Sequence, residues 1–421
     1  MKTRKITLLL MTLLLVLPNI SRAQESEKPT KTIQVSLFPF LGTDGVHALQ
    51  YRYKYSINLF GGINGGVEGL EMAGFMNINK GNVDGFQMAG FGNFVQGYTK
   101  GFQGAGFMNV VNGNFEGLQG AGFMNIVNGT HDGLVGAGFL NVVNGRHSGL
   151  TGAGFGNIVK DDYQGMAFAG FMNISNGNTE GITTAGFMNV TRNNFAGISL
   201  AGFANIAGGY TTGIQGAGFM NTAGDLAGIQ MSGFLNVAKK VDGIQLGFIN
   251  IADTITGVPV GFLSIVKKGG LRQWELAVSD VMFANVSYKI GVPLFYNIFS
   301  VGVKPFVDNQ FGSFGYGVGT HISFTEKSSM QIELHSSQIY EDAKWFEYDE
   351  TNLVNELRLQ FGYRLAQKLE LFAGAVLYNH ITEQDAGLQD LYSWEMYENT
   401  WDDYQAKWWI GARGGIRFVM R

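Results

Sequence analysis

The chain has 421 residues, no cysteine, 62 glycines and a formal net charge of −4. That length allows two or three domains, the lack of cysteine excludes disulfides and thiolate chemistry, and the acidic balance argues against a nucleic-acid partner, which needs a basic stripe. Glycine stands at about twice its usual share, and the excess is periodic, which sets it apart from a disordered linker.

Residues 1–23 read as a signal peptide. Lys2, Arg4 and Lys5 form a positive start, and Ile6–Leu17 form an apolar run too short to cross a membrane as a helix. Ser21 and Ala23 are small residues at the two positions a signal peptidase reads. The mature chain is then expected to begin at Gln24. Without the four basic residues of the leader it carries 25 positive and 33 negative side chains, a net charge of −8. No cysteine stands at the cleavage point, which excludes a lipid anchor of the cysteine type.

Residues 24–60 hold two strand-like segments, IQVSLFPFL and YRYKYSINL. In the second, Tyr51, Tyr53, Tyr55, Ile57 and Leu59 alternate with Arg52, Lys54, Ser56 and Asn58. They are expected either to cap a repeat array or to form the first hairpin of a barrel.

Residues 61–268 repeat one phrase, of which GAGFMNVVNG is an example. Phenylalanine recurs every sixteen residues from Phe75 to Phe219, then at Phe234, Phe248 and Phe262 with spacings of 15, 14 and 14. An asparagine follows two residues after each, from Asn77 to Asn250, until Ser264 takes its place. Glycine at this density would cost a helix roughly 1 kcal/mol per residue relative to alanine, whereas NG turns and β-branched residues suit short strands. The expected fold is a β-solenoid of about thirteen 16-residue coils, with identical side chains stacked about 4.8 Å apart. Phe107, Phe123 and Phe139 would be rungs of an apolar internal stack. Asn109, Asn125 and Asn141 would be rungs of an amide ladder.

The irregular copies locate a corner. GIQMSGF follows the register of Gly228 and GIQLGF that of Gly243, one residue shorter. In a continuous strand that deletion would turn every later side chain to the opposite face. A bend between the Ile and Phe positions absorbs it, so each coil should hold two short strands and two turns. The competing reading makes each copy one strand of a large barrel, but GLQGAGFMNIV lacks the strict alternation that a lipid-facing strand needs.

Residues 269–421 lose the period and gain long alternating segments. Leu357, Leu359, Phe361, Tyr363 and Leu365 alternate with Glu356, Arg358, Gln360, Gly362 and Arg364. In the last segment Ile410, Ala412, Gly414, Ile416, Phe418 and Met420 oppose Gly411, Arg413, Gly415, Arg417 and Arg421. Eight strands are predicted near 271–280, 283–291, 295–305, 313–324, 330–340, 353–365, 369–381 and 408–421. Short turns at one rim and mostly longer loops at the other match an antiparallel outer-membrane-type β-barrel of eight strands, or ten if the N-terminal hairpin joins. Side chains would largely fill so small a barrel, making it an anchor and not a wide pore. The fold class is therefore all-β.

The repeats, of the form G-[FLI]-x-x-A-G-F-M-N-[IV], are followed by GVPVGFLSIVKKGG and PLFYNIFSVGV. From about Val35 to Tyr316 the chain resembles a family of bacterial surface-repeat-containing cell-envelope proteins. The resemblance implies an exported protein of Gram-negative type, at the outer membrane or elsewhere in the cell envelope, and carries no catalytic motif with it.

Catalytic chemistry is sparse. No GxxxxGK[ST] or calcium nonapeptide occurs. His131 and His147 lie one repeat apart but lack further ligands and read as exposed turn residues; no metal or cofactor is expected. His47, His321, His335 and His380 show no partner pattern for a nucleophile or general base. The loop 382–407 interleaves carboxylates with aromatics, and Trp394, Tyr397, Trp401, Asp402 and Asp403 are its candidate ligand contacts. The expected function is a non-catalytic envelope repeat protein with a structural or contact role. Its partners would be outer-membrane lipid and an extracellular or envelope glycan or protein. The alternatives are a carbohydrate-binding or hydrolase protein using that loop, and a transport component.

Overall fold

The computed structural model describes residues 28–305, 311–341, 351–383, 395–401 and 404–420. The leader and its cleavage point lie outside the described residues. The chain divides into two compact units, Met1–Thr151 and Gly152–Arg421. The fold is all-β: a β-solenoid of about thirteen turns, followed by a closed eight-stranded antiparallel barrel.

In the first unit, the strand Thr30–Phe38 pairs in parallel with Arg52–Asn58, which pairs in parallel with Val67–Ala73. The two N-terminal segments are thus the leading rungs of the solenoid and not a barrel hairpin, which removes the ten-strand alternative. Each later turn holds a seven-residue and a four-residue strand, such as Phe115–Ala121 and Met124–Val127. These lie in register on the copies sixteen residues earlier, Phe115 against Thr99 and Asn125 against Asn109. Two glycines make the tight path possible. Gly117 has φ +129°, and a Cβ there would sit 2.0 Å from the Gly101 carbonyl oxygen. At the corner, a Cβ on Gly122 would sit 2.1 Å from the Gly106 oxygen.

In the second unit the same turns run to Val266. The missing residue of GIQLGF falls at the corner: Leu246 still opposes Met231 and Ile249 opposes Leu235, so Gly247 absorbs the deletion. The barrel strands are Leu271–Ser279, Ala284–Val292, Phe295–Lys304, Phe311–Ser323, Ser328–Glu341, Asn352–Ala366, Leu369–Glu383 and Tyr404–Val419. Pairing of Gln273 with Val419 through Ser279 with Arg413 closes the ring. A short strand, Tyr397–Trp401, folds back on Tyr404–Trp408. The links 293–294, 324–327 and 367–368 lie at one rim, where the solenoid also joins at Leu271; the strand ends Lys304, Glu341 and Glu383 lie at the other.

Barrel polarity follows the strand period of two. Trp274, Leu276 and Val278 face outward and are 43–54 % exposed, while Gln273, Glu275 and Ala277 are buried inside. Leu357, Leu359, Phe361, Tyr363 and Leu365 likewise face out, and Glu356, Arg358 and Gln360 face in.

Candidate functional site

The barrel lumen is packed with charge. Lys289 Nζ lies 2.5 Å from both Glu275 and Glu333 and 2.9 Å from Gln331 Oε1. Arg417 reaches Glu275 at 2.8 Å and Glu370 at 2.8 Å, Arg413 reaches Glu275 at 3.0 Å, and Arg358 reaches Glu356 at 2.6 Å. Four cations thus face four carboxylates, all buried. An isolated buried charge would cost several kcal/mol, so this balance is what lets a charged interior fold. Toward the long-loop rim, Val281, Met282, Phe311, Ile339, Val354, Val376, Tyr378 and Trp409 form an apolar plug. The lumen is filled with side chains.

Within it the fold assembles a trio that sequence spacing did not reveal. Ser300 Oγ is 2.7 Å from His335 Nε2, and His335 Nδ1 is 3.6 Å from Glu356. The three sit on three different strands, so no local motif links them. The order serine, imidazole, carboxylate resembles an activated nucleophile. Yet Ser300 is buried, Glu356 is held by Arg358, and the groove of about 570 Å3 that touches His335 and Glu356 is not lined by Ser300. The arrangement gives a substrate carbonyl no place beside the hydroxyl; it pairs the buried Ser300 hydroxyl with one imidazole nitrogen, while the other has no hydrogen-bond partner.

The solenoid core is polar as well. Asn109 Nδ2 donates to the Gly120 carbonyl at 2.8 Å and to Asn125 Oδ1 at 2.9 Å. Asn125 repeats this with Gly136 and Asn141 at 2.8 and 2.9 Å. Both N–H bonds of Asn109 and of Asn125 are used, and each of their oxygens receives the preceding rung. A second ladder runs the other way: Gln119 donates to Gln103, Gln103 to Gln87 and Gln87 to Glu71, each at 2.7 Å. Glu71 ends it as a pure acceptor, taking further bonds from Asn64 and Asn79 at 2.8 Å. Burial raises the pKa of Glu71, against the pull of these donors.

Two expectations are corrected here. The phenylalanine stack exists, but on the outside: Phe107, Phe123 and Phe139 are 36–39 % exposed, with ring centroids 4.8 and 5.0 Å apart. The bend at Gly122-Phe123 breaks the alternation that would otherwise put Phe123 on the side of Asn125, and the ring leaves at the convex corner. The column inside is the one eight residues earlier, where Phe115 stacks on His131 at 4.8 Å. His131 and His147 are therefore buried core residues, not exposed turn residues. Loss of hydration lowers their pKa values to about 3 and about 4. Among the described residues no group of three or more potential ligands could hold a metal ion.

Of the loop candidates, Trp394, Asp402 and Asp403 lie outside the described residues. Tyr397 and Trp401 are exposed on the short hairpin strand. Nearby, Glu395 and Glu398 approach Lys407 at 3.5 and 3.9 Å, so these carboxylates bracket a lysine instead of facing each other as an acid–base pair. Comparisons with protein-family models, curated proteins and solved structures find no match.

Proposed function

We propose that the protein is a non-catalytic repeat protein of the bacterial outer membrane, in which the barrel anchors the solenoid to the envelope. The observation that carries this reading is the polarity of the barrel: an apolar outer wall around a neutralised, side-chain-filled lumen is the pattern that lipid favours and water does not. The sequence of residues 1–23, which reads as an export leader, supports it, as does the likeness of the repeats to surface-repeat-containing envelope proteins.

Outer-membrane barrels turn tightly on the periplasmic side. The solenoid joins at the tight-turn rim, which favours a periplasmic solenoid with a structural role. The long loops, with Tyr397 and Trp401, would then offer a contact surface outside for a glycan or protein. Protease accessibility on intact cells tests this, with one cleavage site placed at Asn144-Gly145 and another near Gly387. Cleavage near Gly387 only is expected. Cleavage at both would move the solenoid to the cell surface and overturn the structural assignment.

A further inference from the structure

The solenoid turns of the second unit are amphipathic around their circumference. Between residues 152 and 268 there are twelve charged side chains, from Lys160 to Lys268, and every one lies in the turn before the longer strand or within the next few residues. The opposite edge, written AGFMN, carries none. There Phe171, Phe203, Phe219, Phe234, Phe248 and Phe262 are each 38–48 % exposed. Their rings stack in a continuous row, with centroids 4.8–6.0 Å apart from Phe155 to Phe262. Leu200, Met231 and Leu246 add exposed aliphatic surface beside it.

This row ends on the barrel. Phe262 stacks on Tyr316 at 4.9 Å and meets Phe299 edge-on at 5.5 Å. Phe299 and Tyr316 are cross-strand partners on the outer wall, and the same register continues through Tyr288 to Trp274. Four aromatic side chains on four adjacent strands thus form one band, of the kind that marks the headgroup boundary of a membrane barrel. The solenoid's apolar edge meets the barrel at the level of that band.

We propose that the phenylalanine edge of the second unit's solenoid turns seats in the interfacial layer of the bilayer that holds the barrel, with the charged turns pointing away from it. The occupant is lipid, because the edge continues an aromatic band of the barrel wall and because all charge is segregated to the far side. This rests on the barrel being embedded in the membrane, and the test separates the two claims.

The native chain contains no cysteine, so single cysteines can carry an environment-sensitive fluorophore without background. The full chain, refolded into phosphatidylethanolamine–phosphatidylglycerol vesicles, would be labelled through Phe203→Cys, Met188→Cys, Asn193→Cys or Leu359→Cys. The Leu359 label reports the barrel wall, the Phe203 and Met188 labels the apolar edge, and the Asn193 label the polar turn. A nitroxide-bearing lipid should quench the labels at 359, 203 and 188, with iodide in the buffer having little effect; the label at 193 should behave in the opposite way. Quenching at 359 by lipid but at 203 and 188 by iodide overturns the proposal and leaves the barrel reading intact. Iodide quenching at 359 as well defeats both. Protection at 203 and 188 from both quenchers means that protein, such as a second copy, covers the edge, and the lipid assignment falls.

Discussion

Asn297, which points out of the barrel wall, accepts the backbone N–H of Ser264 at 3.1 Å and donates to the Gly261 carbonyl at 2.7 Å. Ser264 is where the asparagine column ends, so an asparagine of the barrel completes the last rung of the solenoid. An uncovered sheet edge invites pairing with another chain. Asn297→Ala should therefore cost about 1–3 kcal/mol, the price of leaving buried polar groups unpaired. It should also shift the purified protein toward larger species, read by denaturant unfolding and light scattering.

Two glycines three residues apart should answer alanine very differently. Gly133 has φ +132°, and a Cβ would meet the Gly117 carbonyl oxygen at 2.0 Å, whereas a Cβ on Gly136 meets nothing within 4 Å. Gly133→Ala is expected to lose at least about 1–3 kcal/mol from backbone strain, with the clash added. Gly136→Ala should lie within about 0.5 kcal/mol of the wild type, as surface changes usually do. Thermal unfolding of the pair measures the contrast.

The buried histidines make the solenoid acid-sensitive. Their folded pKa values of about 3 and about 4 lie below the ordinary 6.5, so the unfolded chain binds protons first as the pH falls. Stability is then full above pH 6.5 and is lost progressively as the pH drops toward the folded values. At pH 5 the loss is about 2 kcal/mol for each histidine. His131→Phe with His147→Phe extends the Phe115 column and should flatten stability between pH 7.5 and pH 5, read as the unfolding midpoint at each pH.

Ser300 should behave as a packing residue. Ser300→Ala is expected to cost about 1 kcal/mol, one hydrogen bond's net worth. The native protein should not react with a fluorophosphonate probe. Covalent labelling at Ser300, detected by mass spectrometry, would instead reveal an activated hydroxyl reachable from solution.

The parts readable in the sequence are those whose signal is repeated or alternates. The Asn109–Asn125–Asn141 column shows itself because stacking sets the same chemical requirement at every rung. The wall Leu357–Leu365 shows itself because a strand turns over at every residue. Which way Phe123 points was not readable, since its direction depends on the bend at Gly122 and not on the alternation around it. The same ambiguity at a strand start hid the burial of His131. The lumen pairs, such as Lys289 with Glu333, join strands far apart in the chain, and no spacing rule connects them.

A barrel with an apolar wall and a charged interior should depend on lipid to fold, and that dependence can be measured. Purified full-length chain would be refolded with and without phospholipid vesicles and separated by density flotation, followed by an alkaline carbonate wash. The folded protein should float with the vesicles, survive the wash, and aggregate when lipid and detergent are both absent. A folded, monomeric protein that stays in solution without lipid or detergent would contradict that dependence.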